Sequence, residues 1–117
     1  LVLFGDESNG IRVSLGGENA NFLAAIEDVP LMSGLIEDET KTLNFNKPSG
    51  RLVQAHTYGQ LMENEIVRYY KLVLPEFGWQ NIDNLVFSRE GELLRINCFR
   101  ENNTLIVIFM LSPESAK

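Results

Sequence analysis

The side chains best suited to chemistry in this sequence are its single histidine, His56, and its single cysteine, Cys98. A histidine beside a cysteine can activate a thiolate nucleophile, and a histidine beside a carboxylate can act as a general base. The flanking residues favour neither arrangement. His56 alternates with Gln54 and Tyr58, so these side chains share one strand face, which we expect to be solvated. Cys98 shares its face with Ile96, which predicts a buried thiol that packs as a small apolar group.

Acidic residues could bind a hard cation if their spacing allowed it. Glu37, Asp38 and Glu39 are consecutive in "IEDET", whereas a calcium loop places its ligands at alternate positions around a glycine bend. The stretch "DESNG" at 6–10 fails the same test of spacing. The sequence also has no Walker lysine loop, no G-x-G-x-x-G motif and no zinc-ligand spacing. We therefore expect no metal site, no cofactor and no catalytic residue.

Four aromatic side chains close together in the chain form a further candidate site. Tyr69, Tyr70, Phe77 and Trp79 could line a pocket for a small ligand between a helix and a sheet. Trp79 follows Gly78, at the point where the chain must turn from helix to sheet. A ring buried there would close the end of the core and contribute about 2–3 kcal/mol to stability. This position favours a structural anchor over a ligand contact for Trp79.

The elements that position these residues are two groups of strands separated by a helix. Leu43 and Phe45 alternate with polar residues, "NKPSG" is typical of a turn, and "RLVQAHTY" continues as a second strand, which predicts a hairpin. The segments "NLVFSRE", "LLRINCFR" and "TLIVIFML" predict a three-stranded meander with tight turns at 90–91 and 101–103. The last strand is apolar at almost every position, as expected of a central strand.

Between the hairpin and the meander, apolar residues recur with helical spacing. They predict a long amphipathic helix packed on one face of the sheet. Glu63 and Glu65 lie in its first turn, where the helix dipole favours carboxylates. Pro75 should end the regular helix, and Gly78 should supply the chain reversal. The apolar stripe consists of Ile66, Tyr69, Tyr70, Val73, Leu74 and Phe77. The fold class predicted is therefore α+β, with an antiparallel sheet and one long helix.

Residues 1–27 are predicted to be an N-terminal extension, and residues 28–117 a single α+β domain. The stretch "LVLFGDESNGIRVSLGG" indicates a short hairpin around a polar turn. "ENANFLAAIEDVP" indicates a short helix, with Asn19 as its cap and Pro30 as its stop. The following "LMSGLIEDET" is expected to be a loop that bends at Gly34.

Composition limits the classes of partner. The chain has 117 residues, of which 44% are hydrophobic and 22% charged, as is typical of one globular domain. Its formal net charge of −6 disfavours binding to nucleic acid or to an anionic membrane surface. No apolar run is long enough to span a bilayer, so no integral membrane segment is expected.

The closing meander is apolar on both faces. A single helix can cover only one face of the sheet, so the second face needs the N-terminal segment, a second subunit or a protein partner as its cover. The candidate interface residues are Leu93, Phe99, Ile106, Ile108 and Met110. This is the strongest functional signal in the sequence, and it points to association.

Four segments resemble a family of small exported bacterial proteins, namely "DVPLMSGL", "FNKPSGRLVQAHTYG", "EIVRYYKLVLPEFGWQ" and "FSREGELLRI". Members of that family combine a "PLxPGL" opening, a hairpin, a helix carrying "FY…LPxLGW" and a closing meander. The resemblance covers residues 28–113. It departs at Ser33, where the family has a proline, and at Met62, where it often has a serine or threonine helix cap. The family has no assigned activity, so the resemblance implies this fold and a periplasmic or cell-envelope location; the alternative is the cytoplasm.

Three functions from different classes remain open. The first is a non-catalytic binding or structural module of the bacterial envelope that associates through the apolar second face, as a homodimer or with another protein. The second is a carrier of a small ligand held between helix and sheet by the aromatic set. The third is a small enzyme that uses His56, which would require a carboxylate within hydrogen-bond reach of its ring.

Overall fold

The computed structural model describes residues 21–114, which form a seven-stranded antiparallel sheet and one short helix. The predicted α+β class is confirmed. The strand order is β1-β3-β7-β6-β5-β4, and β2 pairs with the same edge of β3 as β1 does. The elements are β1 (Leu35–Glu37), β2 (Leu43–Lys47), β3 (Gly50–Gly59), α1 (Glu63–Val73), β4 (Gln80–Asp83), β5 (Val86–Arg89), β6 (Glu92–Glu101) and β7 (Thr104–Pro113), with 3-10 turns at Glu39–Lys41 and Leu74–Phe77.

The predicted hairpin and meander are both present, and their turns have the expected geometry. β2 and β3 join at the Lys47–Gly50 pair, and β5, β6 and β7 follow one another as neighbours. Asn102 and Asn103 have φ angles of 54° and 69°, and Glu90 and Gly91 have 49° and 84°. Positive φ at both turn positions matches the right-handed twist of the paired strands. β7 lies between β3 and β6, which makes it the central strand that its apolar sequence predicts.

The helix is shorter than the long helix that the apolar stripe predicts. α1 has 11 residues, and the chain continues as a 3-10 turn of 4 residues because Pro75 cannot extend the regular helix. Gly78 then reverses the chain in the left-handed conformation, with φ 88°. At the other end, the Glu65 carboxylate accepts a hydrogen bond from the backbone N–H of Met62 (2.8 Å), so this end is capped without a Ser or Thr. No helix in residues 21–114 is both long and apolar enough to cross a membrane.

The stretch before β1 is irregular, and the short helix predicted there is wrong over residues 21–30. Phe22 and Pro30 form an isolated antiparallel bridge, and bends and turns connect them. Leu23, Ile26 and Val29 are nevertheless buried in the same core as α1. The predicted hairpin at 1–17 and the cap at residue 19 lie outside the described residues. The domain boundary expected at residue 28 stays a prediction.

Two short strands were not predicted, and both lie at edges of the sheet. β1 falls within the stretch expected to be a loop and pairs with residues 57–59 of β3. β4 follows Trp79 directly and pairs with β5, with a register shift between Asn81 and Asp83. Both strands are three or four residues long, so their own sequences carry little periodic signal.

The sheet has two faces of different character. The core face packs against α1 and residues 21–34, and its central side chains are Val53, Ala55, Thr57, Phe87, Leu94, Ile96, Leu105, Val107, Phe109 and Leu111, all buried. The open face is the reverse side. Its side chains, assigned from the strand register, include Ile36, Leu43, Phe45, Lys47, Leu52, Gln54, His56, Tyr58, Val86, Ser88, Leu93, Arg95, Asn97, Phe99, Glu101, Thr104, Ile106, Ile108, Met110 and Ser112.

Candidate functional site

Tyr70, from the predicted aromatic ligand site, is a fully buried core residue. Its hydroxyl donates a hydrogen bond to the carbonyl oxygen of Pro30 (2.8 Å) and accepts one from the backbone N–H of Met32 (3.1 Å). Its ring packs edge-on against Phe109 and Tyr69, with centroid distances of 5.3 and 4.8 Å. Burial raises the pKa of Tyr70 far above its usual value, so the hydroxyl stays protonated. Tyr70 therefore ties residues 30–32 to α1 and the sheet.

Trp79 closes the end of the core and is 1% exposed. Its indole N–H points to the carbonyl oxygen of Asp28, at 3.4 Å. The Arg89 guanidinium lies 4.5 Å from the centre of the ring and also donates hydrogen bonds to the Asp28 carboxylate (2.6 Å) and to the carbonyl oxygen of Phe77 (2.9 Å). Phe77 itself is 37% exposed and stacks edge-on with Phe22. The polar atoms of Tyr70 and Trp79 thus bind main chain, as in a structural contact.

His56 and Cys98 lie on opposite faces of the sheet. The His56 ring is on the open face, beside Ile108, and its Nε2 lies 2.9 Å from the Gln54 amide nitrogen. Cys98 is half-buried on the core face, where burial, aided by the negative charge of Glu63, raises the pKa of the thiol to about 11. The two side chains cannot form a nucleophile–base pair across the sheet.

The acidic run at 37–39 has structural contacts. The Glu37 carboxylate accepts hydrogen bonds from the backbone N–H groups of Ala24 (2.7 Å) and Ala25 (3.2 Å), and so fastens the N-terminal stretch to β1. The Asp38 carboxylate accepts from the backbone and side chain of Thr40, which lowers the pKa of Asp38. Within residues 21–114 no group of three or more His, Cys, Asp or Glu side chains has the geometry of a metal site.

The five predicted interface residues all lie on the open face, as the register of β6 and β7 places them. One cross-strand row on this face is apolar throughout, and we call it the apolar row: Ile36, Tyr58, Ile106 and Phe99, on β1, β3, β7 and β6. Ile36 is 56% exposed, Phe99 47% and Tyr58 39%. These are large side chains, and they meet solvent side by side rather than singly. A contiguous patch of this kind is typical of an interaction surface.

A shallow groove of about 270 Å³ lies on the same face, toward the other end of the strands. Leu43, Phe45, Leu52 and Met110 form its apolar lining, and the Arg95 side chain lines it from β6. The sequence pattern does not indicate a site at Leu43, Phe45 or Arg95. The turn at 48–49 sets the register that places Leu43 beside Gln54 and Phe45 beside Leu52, but it does not link either residue to Arg95 on β6.

Comparison with protein-family models, with curated proteins and with solved structures gave no match. The arrangement itself offers two surfaces with distinct chemistry. The apolar row offers exposed area to another apolar surface, and the groove offers an apolar trough with one cation. Both surfaces lie on the open face, and both are positioned by the long strands β3, β6 and β7.

Proposed function

We propose that this chain is a non-catalytic binding module of the bacterial envelope that associates through the open face of its sheet. The partner that this face fits is a second copy of the same chain. The envelope location follows from the resemblance of residues 28–113 to small exported bacterial proteins. The observation that carries the proposal is the exposed apolar row.

The apolar row supplies a driving force for association. Complete burial of a side chain such as Phe or Ile contributes about 1.5–3 kcal/mol relative to full exposure. Ile36, Tyr58 and Phe99 retain between 39% and 56% of their accessible surface, so each would contribute roughly 1 kcal/mol when covered. A specific interface also requires about 800 Å² per partner, so the row would act as its centre and the remaining open face as its surround.

Charge supports a second copy as the partner. The chain carries a formal net charge of −6, so two copies repel each other wherever their acidic residues meet. The charged residues of the open face include Arg95 within β6, and Lys47 and Glu101 at the ends of β2 and β6. Two copies that meet through this face therefore keep their carboxylates at or beyond the rim. Sheets that pack face to face in this way lie about 10 Å apart, with their side chains between them.

The non-catalytic part of the proposal is supported by the surroundings of the two reactive side chains. The His56 ring is hydrogen-bonded to an amide, and the Cys98 thiol has a raised pKa, which leaves little thiolate at neutral pH. A carrier pocket between helix and sheet is less well supported, because the polar atoms of Tyr70 and Trp79 are bonded to residues 28–32.

Sedimentation velocity over a series of protein concentrations tests the proposal. We expect the wild-type chain to show a monomer–dimer equilibrium, and we expect Ile106→Lys to remain monomeric because it places a charge at the centre of the interface. Leu72→Lys is the matched control, since Leu72 is 70% exposed on α1, which packs on the core face. The control should dimerise like the wild type. A wild-type chain that stays monomeric up to near-millimolar concentration would remove self-association as its function.

A further inference from the structure

The groove on the open face has a direction that the strand register defines. Two neighbouring cross-strand rows form its sides: Leu43, Gln54, Met110 and Arg95 on one, and Phe45, Leu52 and Ser112 on the other. The groove therefore runs across the strands, from the edge strand β2 to β6. Three strand spacings of about 4.8 Å give it a length of about 14 Å.

The two ends of the groove differ in chemistry. At the β2 end, Leu43 and Phe45 are 46% and 58% exposed and form an apolar trough with Leu52 and Met110. At the β6 end, the lining is the exposed side chain of Arg95. Guanidinium groups bind carboxylates through paired, charge-assisted hydrogen bonds. An elongated ligand with an apolar body and one terminal anion matches this order of side chains.

We propose that the groove binds a medium-chain fatty carboxylate, with its hydrocarbon chain along Leu43, Phe45, Leu52 and Met110 and its carboxylate against Arg95. The groove, about 14 Å long, accommodates an extended chain of about eight to ten carbons.

The Gln54 and Ser112 side chains supply hydrogen-bonding groups along the same path. The Gln54 amide nitrogen is 2.9 Å from the His56 ring, and the amide keeps both donor and acceptor capacity. Among the residues that line the groove, Arg95 is the one cationic side chain, so the lining fits a ligand with a single anion at its Arg95 end.

This inference goes beyond the proposed function and does not require it. The apolar row and the nearer side of the groove are separated by four residues along β3 and β7, or about 13 Å. A carboxylate in the groove therefore leaves the apolar row itself uncovered. It occupies part of the open face that surrounds the row in the proposed dimer, so the ligand and a second copy compete for that part. Ile106→Lys, which lies in that row, serves as a monomeric background in which the groove is intact.

The test is a ligand titration monitored by two-dimensional NMR. Decanoate is the charged probe, and decanol is the uncharged probe of equal chain length. We expect saturable shifts for Leu43, Phe45, Met110 and Arg95, and an affinity for decanoate about tenfold higher than that for decanol. Arg95→Gln should lower the affinity for decanoate to that for decanol and leave decanol unchanged. Phe45→Ser should weaken both ligands several-fold. Arg68→Gln, on the exposed side of α1, is the control and should change neither.

Four results would overturn the proposal. The first two are equal affinity of wild type and Arg95→Gln for decanoate, and equal affinity of the wild type for decanoate and for decyltrimethylammonium. The other two are chemical-shift changes confined to core-face residues, and loss of decanoate binding in Ile106→Lys. The last result would place the ligand at a dimer interface instead. If the wild-type chain is monomeric and still binds decanoate in the groove, the proposed self-association fails and the groove proposal stands.

Discussion

The two faces of the sheet are built from the same strands and carry similar residues, yet their surroundings differ. Phe109 on β7 is 0% exposed on the core face, whereas Phe99 on the neighbouring β6 is 47% exposed on the open face. Tyr70 is likewise buried over the core face and Tyr58 is 39% exposed on the open face. The difference lies in the cover, since α1 and residues 21–34 pack on the core face. Apolar residues therefore serve stability on one face, and on the other they are available for association.

The largest contrast is expected between the two phenylalanines. Phe109→Ala removes a ring from a filled core and leaves a cavity, so we expect a loss of about 3–5 kcal/mol in the free energy of unfolding. Phe99→Ala should cost less than about 1 kcal/mol in the monomer, because its ring already meets water. Urea unfolding at low protein concentration measures both values. Equal losses would mean that the two faces do not differ as described.

A second contrast compares two tyrosine hydroxyls. Tyr70→Phe leaves the carbonyl of Pro30 and the N–H of Met32 without their partner, and we expect a loss of about 2 kcal/mol. Tyr58→Phe removes a hydroxyl from an exposed side chain and should change stability by less than about 0.5 kcal/mol. Thermal unfolding of the two variants provides the comparison. A neutral Tyr70→Phe would show that residues 30–32 do not depend on this contact.

The third contrast compares a thiol at two adjacent positions of β6, 97 and 98. We expect a small effect on stability and a clear difference in the rate at which the thiol is alkylated. The pKa of Cys98 is raised from 9.0 to about 11, so at pH 8 its thiolate fraction is about 100-fold lower than that of an unshifted thiol. Alkylation by iodoacetamide should therefore be slow and should rise with pH until about pH 11. Asn97→Cys, combined with Cys98→Ser, places the thiol on the open face and should react at an ordinary rate. Similar rates at the two positions would contradict the assignment of faces.

Much of the fold could be predicted because the signals are local. Alternation identifies β3 and β6, a continuous apolar run identifies β7, and turn residues fix the hairpin and the meander. Pro75 and Gly78 mark the end of the helical segment. The irregular stretch at 21–30 depends instead on distant contacts, such as the hydrogen bonds from Ala24 and Ala25 to Glu37. β1 depends on a close approach of backbones, since a Cβ on Gly59 would overlap the carbonyl oxygen of Gly34.

The candidate site could be predicted in part for the same reason. The period of two in β6 and β7 assigns Phe99 and Ile106 to the second face without knowledge of the fold. The groove could not be found in this way, because it joins Leu43 on β2 to Arg95 on β6. Those residues are aligned only through the pairing of β2 with β3, β3 with β7 and β7 with β6. A surface that crosses four strands requires the whole register.

The most direct test of the contrast between the faces is the methyl NMR spectrum of the isoleucines during dilution. Ile106 and Ile108 lie on the open face, and Ile66 and Ile96 lie in the core. If the open face is where two copies meet, the methyl signals of Ile106 and Ile108 will shift as the protein is diluted, while those of Ile66 and Ile96 will stay in place. Signals that are all independent of concentration, or core signals that move as much as the open-face signals, would contradict the account.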